Sequence, residues 1–470
     1  MNNNILLQTD SYKAGHAGLY PEDVTGLYAY FESRGGLYPQ TVFFGLQYYL
    51  QEYLEGVRVT RALIREAESF WKAHFGRDDY FDASRWERLL DAHGGKLPLR
   101  IKAVPEGTLV PTNNVLFTVE NTDDEFPWLV GWVETLLMKV WYPTVIATQS
   151  YYLKRQIRQR RRWWSDDENG LDFMVHDFGY RGCTSEEQAA IGGAAHLTSF
   201  KGTDTVAGIL LLRDHYSFDP ANDMYGFSVP ATEHSIILAH KTERDAFEHV
   251  LNRYPTGIVA CVSDTNDIFK AVNDLWGTEL RDKVTARDGV LVVRPDSGEP
   301  TEVVLRVLDG LAQRFGYTLN KQDKKVIDSH VRVIQGDGMT PTTILDLYDF
   351  IGEAGYAPEN LTVGSGGGML QAVNRDTQRF AYKISSVRTR DGKERAVSKH
   401  PVTDNGKASK AGRFLLVRDL GQYRTYVDDG GVENGGYLRT FDTLQTVFEN
   451  GYVQKEYSIE NIRDRLAART

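Results

Sequence analysis

The sequence has little cysteine, no surplus of positive charge and no long apolar run. Its 470 residues contain two cysteines, too few for a disulfide framework, and no Cys-x-x-Cys pair to hold zinc. Lys and Arg number 54 against 64 Asp and Glu, so the formal charge is −10 and the chain is not expected to wrap a nucleic acid backbone. The most apolar stretch, 128–141, is interrupted by Glu134 and Lys139 and is too short to span a bilayer.

The N-terminal segment also lacks the charged and apolar regions of a secretory signal peptide. Hydrophobic residues make up 41% of the chain and charged residues 25%, which excludes disorder for most of it. These features predict a folded, cytoplasmic protein with no membrane contact.

The pattern of predicted secondary structure changes near residue 171. Before that point the pattern predicts helices over 45–57, 60–74 and 126–142. The basic segment 150–164 is interpreted as a solvated helix face with a tryptophan anchor, with a nucleic acid site as the weaker alternative.

After residue 171, short apolar runs alternate with helical patterns, which favours a parallel sheet covered by helices. The predicted strands are 172–176, 206–212, 257–262, 289–293, 331–335 and 360–363. The predicted helices that follow are 264–276, 300–314 and 341–354. We expect an irregular α/β barrel over 171–385, flanked by one discontinuous α+β domain formed from 1–170 and 386–470.

The loops after the apolar runs concentrate Gly, Asp, Arg and His. They read HDFGYRG (176–182), KGTDT (201–205), VPATEHS (229–235), SDT (263–265), RPDSG (294–298), QGDG (335–338) and GSGGG (364–368). Active sites of (β/α) barrels are built from loops at the carboxyl ends of the strands. The sequence therefore predicts that these loops share one rim and form one site.

Two kinds of loop suit a phosphorylated sugar. GSGGG offers backbone N–H groups that no Cβ obstructs, and the alternative is a tight turn that needs glycine. RPDSG and QGDG place an aspartate at a strand end, beside Arg294 in the first case. Guanidinium suits phosphate oxygens and carboxylate suits ribose hydroxyls or Mg²⁺, while an Asx turn or helix cap is the structural alternative. The sequence has no Walker loop.

Other side chains of these loops suit a base or an aromatic substrate. His234, beside Glu233, is a candidate base or phosphate acceptor. Phe178 and Arg181 offer a ring face and a guanidinium, and Tyr12 in TDSYK offers another ring. For each of the last three residues, taken alone, ordinary packing is the favoured interpretation.

The order of the motifs resembles the nicotinamide phosphoribosyltransferases, of the type II phosphoribosyltransferase family. The matching motifs, between Asp10 and Arg413, are TDSYK, YFESR, FFGLQ, HDFGYRG, FKGTDTVAG, SVPATEHS, VSDT, RPDSG, QGDG, GSGGGMLQ and SKAGR. The resemblance implies an irregular α/β barrel with a flanking domain and a homodimer with shared active sites. It implies transfer of a phosphoribosyl group from 5-phosphoribosyl 1-diphosphate to nicotinamide, with Mg²⁺ as cofactor and ATP as a stimulating co-substrate.

The resemblance also assigns roles to single residues. Phe178 and the partner subunit's Tyr12 would sandwich the nicotinamide ring, with Arg181 beside the amide and the diphosphate and Asp204 accepting the amide N–H. His234 would be phosphorylated by ATP. Contacts to ribose and diphosphate would come from Arg294, Asp296, Gly336 and Asp337. Contacts to the 5′-phosphate would come from Gly366, Gly367 and, on the partner chain, Arg375 and Lys383.

Two features depart from the family pattern. Ala381 stands where relatives often carry a serine near the phosphate, and the loop between Arg34 and Thr41 is short, which removes basic residues of longer relatives. The nearest alternative function is nicotinate phosphoribosyltransfer, which the Asp204 carboxylate disfavours by repelling a second carboxylate. A non-catalytic sugar-phosphate-binding barrel is the alternative from another class.

Overall fold

The structure, a computed structural model, describes residues 4–167, 169–217, 223–401, 403, 408–429 and 435–468. Within these residues, strands occur in both antiparallel and parallel sheets. The strands are β1 (Val24–Ser33), β2 (Gln40–Val42), β3 (Leu99–Ala103), β4 (Leu109–Pro111), β5 (Val115–Asn121), β6 (Val175–Asp177), β7 (Gly202–Thr203), β8 (Thr256–Val262), β9 (Asp288–Arg294), β10 (Tyr317–Leu319), β11 (Lys325–Ile327), β12 (Val331–Gln335), β13 (Leu361–Ser365), β14 (Phe380–Thr389), β15 (Glu394–Ala396), β16 (Phe414–Asp419), β17 (Gln422–Val427), β18 (Gln445–Glu449) and β19 (Tyr452–Val453).

The helices of the same residues vary from a single turn to a long basic helix. They are α1 (Leu46–Tyr49), α2 (Arg61–Phe75), α3 (Ala83–His93), α4 (Leu129–Trp132), α5 (Glu134–Met138), α6 (Trp141–Trp164), α7 (Glu186–His196), α8 (Val206–His215), α9 (His234–Leu238), α10 (Glu243–Arg253), α11 (Ile268–Lys270), α12 (Arg281–Thr285), α13 (Pro300–Phe315), α14 (Pro341–Glu353), α15 (Gly367–Leu370), α16 (Gly435–Arg439) and α17 (Ile459–Ala467). Leu50–Leu54 and Ala271–Glu279 are π-helical, and six short 3-10 segments are Ile5–Leu7, Ser11–Gly18, Leu171–Phe173, Tyr180–Gly182, Pro358–Asn360 and Arg375–Thr377. None of the described helices is long and apolar enough to cross a membrane.

The chain forms two compact units. The first comprises Met1–Thr148, Asp214–Phe218 and Asn374–Arg469, and the second comprises mainly Gln149–Arg213 and Asp219–Val373. These divisions fall at 148/149 and 373/374, whereas the sequence pattern placed them at 170/171 and 385/386. The difference arises because most of α6 has its contacts in the second unit, while β14 pairs along its whole length with β1 of the first.

The first unit is built on an antiparallel sheet with the strand order β15-β14-β1-β5-β3-β18-β19. Its strands alternate large apolar residues that pack on one face. Phe31 of β1 stacks on Phe117 and Phe380 of the two neighbouring strands, with ring centroids 4.5 and 5.2 Å apart. The unit therefore has its own aromatic core, as an independent α+β domain requires.

The second unit is built on a parallel sheet with the strand order β7-β6-β13-β12-β9-β8. Its edges, β7 and β8, are joined by an extended segment, 227–232. Phe227 exchanges backbone hydrogen bonds with Lys201 and Thr203 beside β7, while Pro230 and Thr232 bond to Ala260 in β8. Helices α13 and α14 pack on each other, and α13 also packs on β12. The predicted α/β barrel architecture with a separate antiparallel domain is confirmed.

One predicted strand is wrong. The apolar run 206–212 belongs to helix α8, and not to the sheet. Gly208 lies against α7, where an added Cβ would be 2.6 Å from the carbonyl carbon of Gly193. Gly193 and Gly208 thus let helices α7 and α8 approach closely. The prediction was wrong because a short, continuous apolar run shows no periodicity that distinguishes a helix from a strand.

The basic segment 150–164 is helical, as expected, but its face is only partly solvated. Arg161 is buried and its guanidinium donates to the carbonyl of Asp167, and Arg160 pairs with Asp349 at 2.6 Å. Trp164 covers Gly352, where a Cβ would overlap the indole. The contacts of Trp164, Arg160 and Arg161 show that part of the basic segment 150–164 packs within the second unit.

Candidate active site

A cleft of about 1200 Å³ opens in the second unit. Its lining comes from loops that follow the parallel strands and from the segment that joins the sheet edges. The residues that line it and that carry the predicted chemistry are Phe178, Arg181, Asp204, Glu233, Arg294, Asp296, Gly336, Asp337, Gly366 and Gly367. The structure therefore brings the loop residues singled out in the sequence to one rim.

Phe178 follows β6 and its position is fixed by glycines of neighbouring strands. Its backbone N–H donates to the carbonyl of Ser365 at 3.0 Å. A Cβ at Gly364 would overlap the Phe178 ring, and a Cβ at Gly336 would lie 3.4 Å from it. These glycines leave room for the ring at the floor of the cleft, where it offers a flat apolar surface to a planar ligand.

Asp204 follows β7 and its carboxylate faces the cleft with 46% of its side chain exposed. Its Oδ1 accepts a hydrogen bond from His176 Nε2 at 3.0 Å and another from the Ser228 hydroxyl. Burial alone would raise the pKa of Asp204, but the hydrogen bonds from His176 and Ser228 and the charges of His176 and Arg294 lower it on balance. Asp204 is therefore a carboxylate at neutral pH and an acceptor for a ligand N–H.

The loop that carries Arg181 is held from two sides. The buried Asp177 accepts a hydrogen bond from the Gly179 N–H at 2.7 Å. Gln371, which follows α15, donates to Cys183 Sγ at 2.8 Å. Arg181 itself is exposed and lines the cleft, so its guanidinium is placed to meet an anionic or amide group of a ligand.

Arg294 and Asp296 lie at the end of β9 and form a paired cation and anion. Arg294 Nη2 is 3.4 Å from Asp296 Oδ2. The Nε atom of Arg294 is buried and has no hydrogen-bond partner among the described residues. A buried, unsatisfied guanidinium N–H is costly, so this atom is suited to an anionic ligand oxygen.

His234 begins helix α9 and lies beside two carboxylates. Its Nδ1 is 3.1 Å from the Thr265 hydroxyl, and its Nε2 is 3.5 Å from Asp296 Oδ2 and 3.7 Å from Asp264 Oδ1. A Thr265 hydroxyl that accepts the Nδ1 proton leaves the lone pair on Nε2. In that tautomer the imidazole can act as a nucleophile or an acceptor at Nε2. His234 itself is not among the residues that line the cleft, although its neighbours Glu233 and Asp296 are.

The glycine loops allow backbone to approach closely. A Cβ at Gly368 would overlap the Met339 carbonyl, and one at Gly366 would be 3.3 Å from the Phe178 carbonyl oxygen. Gly338, after Asp337, has φ +68°, which favours glycine. The loops after β12 and β13 therefore need glycine for packing as well as for any phosphate that their N–H groups would bind.

Three residues that contribute to this geometry were not singled out from the sequence: Asp264, His176 and Ser228. Asp264 is nearly buried, with 4% of its side chain exposed, and its Oδ2 accepts from the Asp296 N–H and the Ser297 hydroxyl. The signal for Asp264 was its place in the SDT loop after a strand, which equally fits a turn. His176 and Ser228 begin the quoted motifs HDFGYRG and SVPATEHS, but neither was given a role, because His176 lies within strand β6 and Ser228 lies in an irregular segment.

Tyr12, Arg375 and Lys383 lie in the first unit. Tyr12 is 58% exposed, on the 3-10 segment Ser11–Gly18. Arg375 and Lys383 line a separate cleft of about 880 Å³ together with four further cations, which are Arg34, Arg379, Lys399 and Lys410. Burial, and the nearby positive charges of Arg34, Lys13 and Lys399, lower the pKa of Lys383. This cleft is suited to a polyanion such as a phosphate group.

Both departures from the family pattern lie at this second cleft. Ala381 lines it and pairs with Glu32 across β14 and β1, and it supplies no hydroxyl. Arg34 also lines it, with its Nε 3.2 Å from the Glu32 carboxylate. In the described part of the chain, no group of three or more His, Cys, Asp or Glu side chains is arranged to hold a metal ion by itself.

Comparison with known proteins gives consistent matches over nearly the whole chain. The profile of the nicotinate phosphoribosyltransferase (NAPRTase) family matches residues 173–452, and that of the nicotinamide phosphoribosyltransferase N-terminal domain matches residues 4–101. A nicotinamide phosphoribosyltransferase of Xanthomonas campestris pv. campestris is 46% identical over 467 residues, which cover 98% of this chain and 97% of that protein. One of Acinetobacter baylyi is 31% identical over 513 residues, covering 99% and 97%.

Solved structures show the same fold at low sequence identity. A nicotinate-nucleotide pyrophosphorylase from Pyrococcus furiosus superposes with a TM-score of 0.63 at 17% identity, covering 100% of this chain and 96% of that one. Human nicotinic acid phosphoribosyltransferase gives a TM-score of 0.53 at 15% identity, covering 98% and 93%. These structures share the α/β barrel and flanking domain described above.

Proposed function

Because the chain belongs to the nicotinate and nicotinamide phosphoribosyltransferase family, whose members are enzymes, we propose that its substrate is nicotinamide. The enzyme transfers the phosphoribosyl group of 5-phosphoribosyl 1-diphosphate to the pyridine nitrogen. The products are nicotinamide mononucleotide and diphosphate, and the reaction belongs to NAD salvage.

The Asp204 carboxylate is the single observation that carries the choice of nicotinamide. It faces the cleft beside Phe178, and its lowered pKa keeps it ionised at neutral pH. An ionised acceptor binds an amide N–H, whereas it repels the carboxylate of nicotinic acid. A nicotinate phosphoribosyltransferase on the same fold would need a neutral or donating group at this place.

The transfer requires that the substrates be positioned and that the charge on the leaving diphosphate be stabilised. It requires no general base. The pyridine nitrogen has a free lone pair, so it attacks C1 of the ribose directly as the bond from C1 to the diphosphate oxygen breaks. The Phe178 ring provides the platform that holds the pyridine against C1. Arg294, with its unsatisfied Nε, and Arg181 stabilise the negative charge that develops on the leaving diphosphate.

The two carboxylates beside His234 fit a requirement for Mg²⁺. Mg²⁺ prefers oxygen ligands and is usually held by one or two carboxylates together with substrate phosphates. Asp264 Oδ1 is buried with no hydrogen-bond partner in the described residues, and Asp296 lies on the same side of His234. Asp264 and Asp296 would hold the ion with the diphosphate. Bound there, Mg²⁺ would neutralise charge on the leaving group.

His234 supports a coupling of the reaction to ATP. Its Nε2 attacks the γ-phosphorus of ATP, so the N–P bond forms while the bond to the β,γ-bridging oxygen breaks and ADP leaves. The step uses the tautomer with its proton on Nδ1; this proton stays on the ring and is donated to the Thr265 hydroxyl, 3.1 Å away. The phosphohistidine carries negative charge beside Asp296 and the diphosphate site, and a bound Mg²⁺ would offset that charge. Water later attacks the phosphorus, so phosphate leaves and the imidazole is restored.

A homodimer would complete the site. The second unit holds Phe178 and the diphosphate residues, whereas Tyr12, Arg375 and Lys383 belong to the first unit. The family resemblance assigns these three to the partner subunit. Their exposed ring and cation-lined cleft are suited to nicotinamide and to the 5′-phosphate. The cytoplasmic location stays a prediction.

Identification of the product tests the proposed function. Purified protein is incubated with 5-phosphoribosyl 1-diphosphate and Mg²⁺, with either nicotinamide or nicotinic acid, each with and without ATP. We expect nicotinamide mononucleotide as the product, with a faster rate when ATP is present. If nucleotide forms with nicotinic acid and not with nicotinamide, the substrate is nicotinic acid. If neither compound gives a nucleotide, the result favours a non-catalytic sugar-phosphate-binding protein.

A further inference from the structure

Two side chains from different segments of the chain, His176 and Ser228, meet at Asp204. His176 comes from β6, Asp204 follows β7, and Ser228 lies in the segment 227–232 that joins the edges of the sheet. The His176 Nε2 and the Ser228 hydroxyl both donate to the same oxygen, Oδ1 of Asp204. Among the described residues no hydrogen bond reaches Oδ2, so this oxygen is left for a ligand in the cleft.

The imidazole of His176 has no freedom to turn away. Its ring lies against Gly202 of the neighbouring strand, where an added Cβ would be 2.8 Å from Nδ1. On its other side it contacts the Phe178 ring, with centroids 4.8 Å apart and planes at 45°. His176 is buried, with 8% exposure, so it contacts both the stacking ring and the amide acceptor while it stays beneath the cleft.

We propose that His176, together with Ser228, is the positioning residue that sets the selectivity for nicotinamide, by occupying Oδ1 of Asp204 so that only Oδ2 meets the substrate amide. The inference rests on the proposed function, because it concerns the acceptor of that amide. His176 is not a catalytic residue, since it does not line the cleft, and it acts through Asp204 and Phe178.

The two donors have a second effect, on charge. Both favour the ionised form of Asp204, and Arg294 of β9 is the other positive group that faces it. The buried His196 in turn faces both His176 and Asp177. Removal of either donor therefore lets the Asp204 carboxylate rotate. It also makes the ionised form of Asp204, which repels nicotinate, less favourable.

The test distinguishes the effect of the His176 hydrogen-bond donor from the effect of its aromatic ring. His176→Phe keeps an aromatic ring beside Phe178 and removes the donor, whereas His176→Gln places an amide N–H near the position of Nε2 and removes the ring. Ser228→Ala removes the second donor with little change in volume. His330→Phe is the matched control, because His330 pairs with Asp328 at 2.7 Å just before β12, at the other end of the strands.

For each variant, kcat and KM are measured with nicotinamide and with nicotinate, and KM is measured for 5-phosphoribosyl 1-diphosphate. We expect His176→Phe and Ser228→Ala each to lower the nicotinamide-to-nicotinate ratio of kcat/KM by about 10-fold or more, as one charge-assisted hydrogen bond is lost. The loss should appear mainly in KM for nicotinamide. His176→Gln should keep the ratio within about threefold of the wild type, and His330→Phe should leave it unchanged.

Equal losses in His176→Phe and His176→Gln, or an unchanged ratio in Ser228→Ala, would overturn the proposal. A parallel rise in KM for the sugar donor would also overturn it, because that result indicates general damage to the barrel. If His176→Phe does not fold, Ser228→Ala decides by itself. Wild-type enzyme that prefers nicotinate would overturn the proposed function instead, and a wild-type preference for nicotinamide that no donor variant alters would overturn only this inference.

Discussion

Replacement of Asp204 by asparagine is the substitution that acts most directly on the nicotinamide acceptor. The change keeps the size of the side chain and removes its charge. His176 and Ser228 both donate to Oδ1, so the asparagine oxygen is held on their side. The asparagine amino group then takes the place of Oδ2, where it presents a donor to the N–H donors of nicotinamide.

The magnitude follows from the loss of one charge-assisted hydrogen bond. Such a bond is worth about 1.5–3 kcal/mol, which corresponds to a decrease of about 10- to 150-fold in kcat/KM for nicotinamide. Nicotinate should gain, because its carboxylate meets a donor where it met a negative charge. Since the pKa of Asp204 is lowered, the wild-type carboxylate is ionised across about pH 6–8 and its selectivity should be constant over that range.

The assay is steady-state kinetics with each of the two pyridine substrates at saturating sugar donor. Asp328→Asn is the matched control, because Asp328 pairs with His330 away from the cleft and should show wild-type selectivity. An Asp204→Asn enzyme with unchanged kcat/KM for nicotinamide would show that Asp204 is not the partner of the amide.

Three further experiments test other parts of the structure. His234→Ala should abolish nicotinamide-dependent ATP hydrolysis and the gain of a phosphoryl mass on the intact protein, while slow ATP-independent transfer remains; ATP stimulation of the variant would refute the phosphohistidine. Inactive Tyr12→Ala and Arg294→Ala subunits, mixed into heterodimers, should regain activity because one hybrid site is intact; proven heterodimers without activity would contradict shared sites. Gly208→Ala should lower the free energy of unfolding by about 1–3 kcal/mol, and so the Tm, because the added Cβ would be 2.6 Å from the Gly193 carbonyl carbon. Gly18→Ala is the control, because its Cβ would meet no atom within 4 Å and should leave the Tm unchanged. Equal Tm values for the two variants would argue against the tight α7–α8 contact.

The loops of the barrel rim were more predictable from the sequence than the elements behind them. The apolar runs of β8, β9, β12 and β13 end in motifs rich in Gly, Asp and Arg, so both the strands and the places of Arg294 and Asp337 could be predicted. The run 206–212 was assigned to a strand because it is apolar throughout, whereas its helix exposes Val206 and Leu210 and has small residues where α7 approaches. Neither hydropathy nor propensity separates such a helix from a strand.

The supports of the site were not predictable, because they depend on pairs that are distant in the sequence. Asp264 meets Asp296 across 32 residues, and His176 meets Asp204 across 28. Such pairs are set by strand order, which the motifs do not state. The cations around Lys383 were only partly predicted, because Arg34 and Lys410 are far apart in the sequence. Lys410 reaches the end of β1 through its N–H, which donates to the Tyr30 hydroxyl, and through its ammonium group, which pairs with Glu32.

Direct competition between the two pyridine substrates tests the central claim, that an ionised Asp204 selects nicotinamide. Wild-type enzyme is given nicotinamide and nicotinic acid at equal concentration with limiting 5-phosphoribosyl 1-diphosphate, Mg²⁺ and ATP, and both nucleotide products are quantified at early times. The product ratio equals the ratio of the two kcat/KM values, and we expect nicotinamide mononucleotide to exceed nicotinate mononucleotide by at least about 100-fold. Equal amounts of the two nucleotides, or an excess of nicotinate mononucleotide, would contradict the claim.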